Sequence, residues 1–245
     1  MKLITISIVS HGQISMVYDI LKNIEELQLG SDVELIITLN INEKIQIEFN
    51  KYSYPILIIK NLSPKGYGEN HNNAFLKSNG YYYCIMNPDI RLEINPFAEL
   101  IEIINNNTVG VCAPMVLNTN GELQNSFREF PTLFKIVKKL FVTKKNDYPR
   151  KNELFEPDWV AGMFMLFRSS VYKEISGFNE NYFLYYEDVE ICARIKQFGY
   201  KVVYVPYCNV IHQGQYASRK KFRYLIFHIK SMIRFLLEIK YWKKI

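Results

Sequence analysis

The sequence predicts an α/β fold, a doubly wound and mostly parallel central sheet flanked by helices, followed by a C-terminal helical tail. Three observations carry this. Short β-branched apolar runs alternate with stretches of helical periodicity through the first hundred residues, as in strands joined by helical crossovers. Hydrophobic residues make up 49% and aromatic residues 15% of the 245, enough for a sizeable core and too many for disorder. The net charge of +6 is gathered at one end.

In chain order, Leu3 to Val9 reads as a buried strand. Met16, Val17, Ile20, Leu21, Ile24 and Leu27 give Ser15 to Leu27 a helical stripe. Val33 to Leu39 and Ile56 to Ile59 are strands, Gly68 to Ser78 a helix and Tyr81 to Met86 a strand. Pro96 opens a helix running to Ile104, since proline suits a first helical turn. Beyond residue 108 the spacing changes. Val109 to Leu117 reads as a strand ending in a hairpin-type turn, Asn118 to Gly121, and Lys135 to Asp147 as a basic, mobile loop. Trp159 to Phe167 reads as one strand. Val189 to Phe198 reads as a helix closed by Gly199, and Val202 to Val205 and Asn209 to His212 as two short strands.

The charge divides sharply. Residues 219–245 hold nine Lys and Arg and one acid, Glu238, for a net +8, whereas residues 1–218 hold 21 basic and 23 acidic side chains, a net −2. Such asymmetry points to an anionic membrane or nucleic acid. On a helix, Phe222, Leu225, Ile226, Ile229, Met232, Ile233, Leu236 and Leu237 share one face, with Arg223, Lys230, Arg234 and Glu238 opposite. With Tyr241-Trp242-Lys243-Lys244 beyond it, this basic amphipathic tail fits a lipid interface better than nucleic acid. The same pattern also fits a final helix packed on the domain. No run of 18 apolar residues indicates a transmembrane helix, and MKLITISIVSHG lacks the features of a signal peptide. The cysteines Cys84, Cys112, Cys192 and Cys208 form no CxxC pair and read as buried, reduced thiols.

Four constellations could carry chemistry. Asn87-Pro88-Asp89 follows an apolar strand, so Asp89 projects at the carboxyl edge of the sheet, where a carboxylate can hold a divalent metal; taken alone, the tripeptide favours a simple turn. Pro64-Lys65-Gly66-Tyr67-Gly68-Glu69-Asn70-His71-Asn72 is a Gly-containing loop opening a helix, suited to close approach of an anionic ligand or simply to capping. Glu187-Asp188-Val189-Glu190, after Tyr182-Phe183-Leu184-Tyr185-Tyr186, places three acids in a first helical turn beside aromatic rings. They complement the helix dipole or supply a general base. His212, after a strand, is a candidate metal ligand.

The order of these motifs resembles that of family 2 glycosyltransferases of the GT-A fold, in the bacterial polysaccharide, rhamnosyltransferase-like branch. The likeness spans Ile6-Ser7-Ile8-Val9-Ser10, GYGENHN, Asn87-Pro88-Asp89, Trp159-Val160-Ala161-Gly162, and Phe178-Asn179-Glu180 with FLYYEDVEICARIKQFGYKVVYVP, ending at His212. It implies an inverting enzyme that moves a sugar from a nucleoside-diphosphate sugar, UDP- or dTDP-linked, to a saccharide acceptor. That acceptor would be lipid-linked, for instance to undecaprenyl diphosphate, in O-antigen or capsule synthesis at the inner face of the cell membrane. Residues 1–108 would form the donor half, 109–218 the acceptor half and 219–245 the tail that meets the membrane, with no nucleic-acid partner. The resemblance implies Asp188, with Glu187, as the catalytic acidic pair. It implies Ser10, Asn40, Gly66, Asn70, Asn72, Asn87 and Asp89 on the donor side and Trp159, Gly162 and Tyr186 on the acceptor side. Asp89 and His212 would bind Mn²⁺ or Mg²⁺. Two departures stand out. The first position of the DXD-type motif is Asn87, which leaves one carboxylate for the cation, and the acid that reads the base after the second strand is replaced by Asn40 or Glu43. A catalytically degenerate member that binds sugar nucleotides without turnover is the alternative that Asn87 raises. A nucleotidyltransferase is disfavoured, because Ser10-His11-Gly12 does not resemble a basic pyrophosphorylase loop.

Overall fold

The structure, a computed structural model, describes residues 3–136, 153–214 and 222–238. Most of the basic loop expected at 135–147, and Tyr241 to Lys244, lie outside the described residues. The first half follows the expected alternation: β1 (Ile4–Ser10), α1 (Ile14–Glu26), β2 (Val33–Leu39), β3 (Ile56–Lys60), α2 (Tyr67–Phe75), β4 (Tyr82–Met86), β5 (Ile90–Arg91) and α3 (Phe97–Ile104). The second half comprises β6 (Val109–Leu117), β7 (Phe127–Arg128), β8 (Trp159–Val160), β9 (Phe164–Arg168), α4 (Ser169–Glu174), α5 (Glu187–Gln197), β10 (Lys201–His212) and α6 (Phe222–Glu238).

Among the described residues the main sheet has eight strands in the order β3-β2-β1-β4-β9-β6-β10-β5. β3, β2, β1 and β4 run parallel, as do β6 and β10. β9 is antiparallel to both its neighbours and β5 is antiparallel to β10, so the sheet is mixed where alternation alone predicts parallel strands. The reason is local. The apolar run Trp159 to Phe167 breaks at Ala161–Met163, and β9 then enters the centre of the sheet from the opposite end. The two short strands expected after residue 201 are one strand, β10, with an irregularity between Val205 and Asn209.

Two apolar layers sandwich the sheet. Ile6, Ile8, Leu35, Ile37, Cys84 and Leu166 face α1 and α3, while Tyr83, Ile85, Phe167 and Val202 face α4 and α5. All four cysteines are buried and unpaired, and burial raises the Cys208 thiol to about 12. Helix α5 ends as expected: Gly199 takes φ +84°, and its N–H donates to the Lys196 carbonyl.

The tail helix packs on the domain, but not by its most apolar face. Ser231 and Phe235 are its buried residues. Leu225, Ile229 and Ile233, at 53%, 41% and 50% exposure, face outward. Among the described residues, no helix is long and apolar enough to cross a membrane.

Candidate active site

The carboxyl ends of β4 and β10 and the N-terminal end of α5 come together at one end of the sheet. β4 delivers Asn87-Pro88-Asp89, and the antiparallel pairing His212↔Ile90 brings the end of β10 beside it. Asp89 is buried. Its Oδ2 lies 3.1 Å from His212 Nε2, and its Oδ1 is a buried oxygen without a partner. The Gln213 N–H donates to the Asp89 carbonyl at 2.9 Å, closing the two strands around the pair. Among the described residues, no three His, Cys, Asp or Glu side chains gather around one point. The two side chains expected to bind a cation, Asp89 and His212, therefore stand as a pair, with no third such group beside them among the described residues. An orphaned carboxylate oxygen beside an imidazole nitrogen fits a divalent cation that would take most of its other ligands from substrate and water.

Helix α5 begins with Glu187 and Asp188. Asp188 Oδ2 accepts the Gly162 N–H at 3.1 Å and Oδ1 accepts its neighbour's Val189 N–H at 2.9 Å. Burial raises the Asp188 pKa from its ordinary value, while these N–H groups and the Arg128 guanidinium oppose the rise. Glu187 is buried with Oε2 unpartnered. Its pKa is pushed well up by desolvation first and by the Asp188 charge second. Of these adjacent carboxyls, Glu187 is therefore the harder to ionise and Asp188, with two N–H donors and a guanidinium nearby, the easier.

Tyr67 joins the two halves, and sequence reasoning missed it although it lies in the quoted loop. Its hydroxyl donates to the Gly162 carbonyl at 2.5 Å and lies 3.1 Å from Asn87 Oδ1. Burial, then Glu187, Asp188 and Asp89, raise its pKa well above the phenol range. Asn87 thus faces Tyr67. Arg128, which the motifs also missed, lies over the Trp159 ring at 5.6 Å, paired across β7 and β8. Trp159 donates its indole N–H to the Glu129 carbonyl. With Tyr186 it packs beside Phe130 and Phe235, forming the apolar wall next to Asp188.

Other expected donor-side residues are spent on the protein. Asn40 Oδ1 accepts from Lys65 N–H and Asn61, while its amide nitrogen donates to the Lys65 carbonyl. Asn70 donates to Gly66 and accepts from Asn61. Asn72 binds the Phe178 backbone through both its amide oxygen and nitrogen, and also accepts the Tyr172 hydroxyl. A Cβ on Gly66 would sit 3.0 Å from the Phe183 carbonyl oxygen, and one on Gly68 2.5 Å from Phe178 Cβ. These glycines let α2 press against residues 178–183. Ser10 donates to Glu43 Oε2 at 2.9 Å, and Glu43 Oε1 is buried without a partner.

The segment before Asp188 is strained and clamped. Tyr185 and Tyr186 both take left-handed φ, 68° and 67°, a conformation that costs of order 1–3 kcal/mol for a non-glycine residue. The tail helix holds this segment. Ser231 Oγ donates to the Leu184 carbonyl at 2.9 Å, Tyr182 donates to Glu238 at 2.6 Å, and the Phe183 ring meets Phe227. His228 touches both Tyr185 and Tyr186, and Tyr186 also meets Phe235.

No family model matches the chain. It is 28% identical to the rhamnosyltransferase WbbL of Escherichia coli, over 96% of this chain and 92% of that one. It is 26% identical to the N-acetylglucosaminyl-diphospho-decaprenol L-rhamnosyltransferase of Mycobacterium tuberculosis, over 64% of this chain and 55% of that one. In structure it is similar to GalNAc-T7, solved with UDP, GalNAc and Mn²⁺, at a TM-score of 0.64 and 17% identity, covering 88% of this chain and 44% of that one. Fold and relatives agree with the motif order: the chain has the GT-A fold, is a glycosyltransferase, and is similar along nearly its whole length to a rhamnosyltransferase.

Proposed function

We propose that this glycosyltransferase moves a sugar, with inversion, from a UDP- or dTDP-linked donor to a saccharide on a polyprenyl-diphosphate carrier at an anionic membrane face. The observation that carries the reading is that Asp188, half-buried and held by the Gly162 and Val189 N–H groups, is linked through Gly162 and Tyr67 to the Asn87-Pro88-Asp89 turn and its Asp89–His212 pair. Asp188 takes the proton of an acceptor hydroxyl. The oxygen attacks the anomeric carbon, the bond from that carbon to the diphosphate oxygen breaks, and the nucleoside diphosphate leaves with the electron pair. Asp89 and His212 would hold Mn²⁺ or Mg²⁺, which supplies charge neutralisation on the leaving diphosphate. Trp159, Gly162 and Tyr186 line the acceptor side. Asn40, Asn70 and Asn72 stiffen the donor wall without touching donor. Glu43, whose Oε1 is a buried acceptor without a partner, receives the N3–H of uracil or thymine, a donor that guanine places differently. The M. tuberculosis relative is named for a decaprenol-diphosphate acceptor, which supports a lipid-linked acceptor here, as does the outward apolar stripe of α6.

A thermal-shift panel of UDP-, dTDP- and GDP-sugars, with and without Mn²⁺, tests the donor half. At a hundred times Kd, a ligand adds about 2.7 kcal/mol, which raises the melting temperature of a chain this size by roughly 5–10 °C. We expect that shift from a pyrimidine donor, enlarged by Mn²⁺ and diminished in Glu43→Gln. Stabilisation by GDP-sugars alone would overturn the assignment.

Asp188 also sets the pH profile. The base works only when deprotonated, so kcat/KM falls as pH drops through the raised Asp188 pKa. Arg128 opposes that rise. Arg128→Met should therefore move the acidic limb to higher pH, leaving the plateau of the profile to report any separate loss of acceptor contact. A limb that stays in place, or moves to lower pH, would show that the guanidinium does not act on Asp188.

A further inference from the structure

The turn at Asn118–Gly121 folds the chain back over the end of β6. The Gln124 N–H donates to the Val116 carbonyl at 2.8 Å, and Leu117 bridges Leu123. β6 pairs with β10, Leu117 opposite Ile211, so Gln124 arrives beside His212. Its amide nitrogen donates to the His212 carbonyl at 3.1 Å, and its Oε1 lies 2.8 Å from His212 Nδ1. A carbonyl can only accept, so the amide nitrogen must face it and the amide oxygen must face the ring. An amide oxygen in turn requires a proton on Nδ1. The neutral imidazole then carries its lone pair on Nε2, the atom 3.1 Å from Asp89 Oδ2. Two acceptors so placed repel unless a positive charge lies between them.

We propose that Gln124 is a positioning residue. It locks His212 in the Nδ1–H tautomer and so presents Nε2, beside Asp89, as a ready ligand for a divalent cation. Partners of this kind orient ligating histidines, and their removal typically costs 10–100-fold in metal affinity. The proposal rests on the reading of Asp89 and His212 as the cation pair, and its test separates the two. Nitrogen-15 NMR of the metal-free protein, at a pH well above the ordinary imidazole range, reads the His212 tautomer. Electron paramagnetic resonance reads Mn²⁺ affinity in the presence of UDP.

Wild type is expected to show Nδ1–H. Gln124→Leu should lose that preference and bind Mn²⁺ about 10–100-fold more weakly. Gln124→Glu gives up the donor to the His212 carbonyl but keeps an acceptor toward Nδ1, so it should hold the tautomer and weaken Mn²⁺ binding less than Leu does. An Nε2–H tautomer in wild type overturns the proposal whether or not any variant folds, and so does equal weakening by Leu and Glu. A wild type that shows Nδ1–H but binds no Mn²⁺ even with UDP overturns the cation reading instead, and with it the purpose assigned to Gln124.

Discussion

Asp188→Asn is expected to lower turnover by about 10²–10⁴-fold, the usual worth of a positioned general base. Donor affinity should hardly move, because the proposed function places the diphosphate at Asp89 and His212. The asparagine keeps one acceptor for two N–H donors, Gly162 and Val189, so a stability loss of about 1 kcal/mol accompanies it. Glu187→Gln supplies the contrast. A buried carboxyl that holds its proton is nearly isosteric with an amide, so this variant should retain most of its turnover. Steady-state release of nucleoside diphosphate, set beside the affinity for UDP, reads both. If Glu187→Gln were the dead variant and Asp188→Asn the live one, the roles of the two acids would be exchanged. Full turnover in both would remove the base from this pair altogether.

The sequence makes these acids legible and leaves their division of labour hidden. Glu187 and Asp188 are visible as a first-turn acidic cluster, but only the fold shows that Gly162, 26 residues away in the chain, aims its N–H at one and leaves the other bare. Periodicity locates β1, β2, β6 and α1 to within a residue because each has one uniformly apolar face. It misreads Trp159 to Phe167, where a continuous apolar run conceals a turn and a reversal of direction. A buried run in the middle of a sheet has no polar face to mark where it bends or which way it runs. The asparagines show the opposite failure. Asn40, Asn70 and Asn72 are expected on the donor side from the resemblance alone. Each is consumed holding loop to loop, and counting the four hydrogen-bonding sites of an amide against partners needs coordinates. Gln124 and Arg128 carry no motif at all. Their roles arise from strand pairing and from the turn at residues 118–121, which periodicity marks only as a turn.

The tail is where the two readings of one pattern turn out to be compatible. An apolar stripe at helical spacing can face a core or a membrane, and in α6 one stripe packs on the domain while another is exposed and, on the proposed function, meets the membrane. Ser231 and Phe235 face the Tyr182–Tyr186 segment, while Leu225, Ile229 and Ile233 face outward. These stripes predict separable defects. Phe235→Ala removes a fully buried ring, a change that costs about 3–5 kcal/mol, from the contact that braces Tyr186. With the brace loosened, Tyr185 and Tyr186 are free to leave their left-handed conformations. The population that presents Asp188 correctly should then fall by about 1–3 kcal/mol, or 5–150-fold in turnover, on a soluble acceptor as much as on a lipid-linked one. The triple variant Leu225→Ser, Ile229→Ser, Ile233→Ser should leave turnover on a soluble acceptor intact. Losing roughly half the burial worth of three large aliphatic side chains, about 3 kcal/mol in all, it should weaken co-sedimentation with anionic vesicles by about two orders of magnitude. Undiminished sedimentation of the triple variant would reject the lipid-facing role. Undiminished turnover of a folded Phe235→Ala would show that the catalytic segment holds its strained shape without the tail. If the two defects appear as expected, α6 couples the membrane surface to the catalytic acid through a single helix, lipid on one stripe and the base-bearing segment on the other.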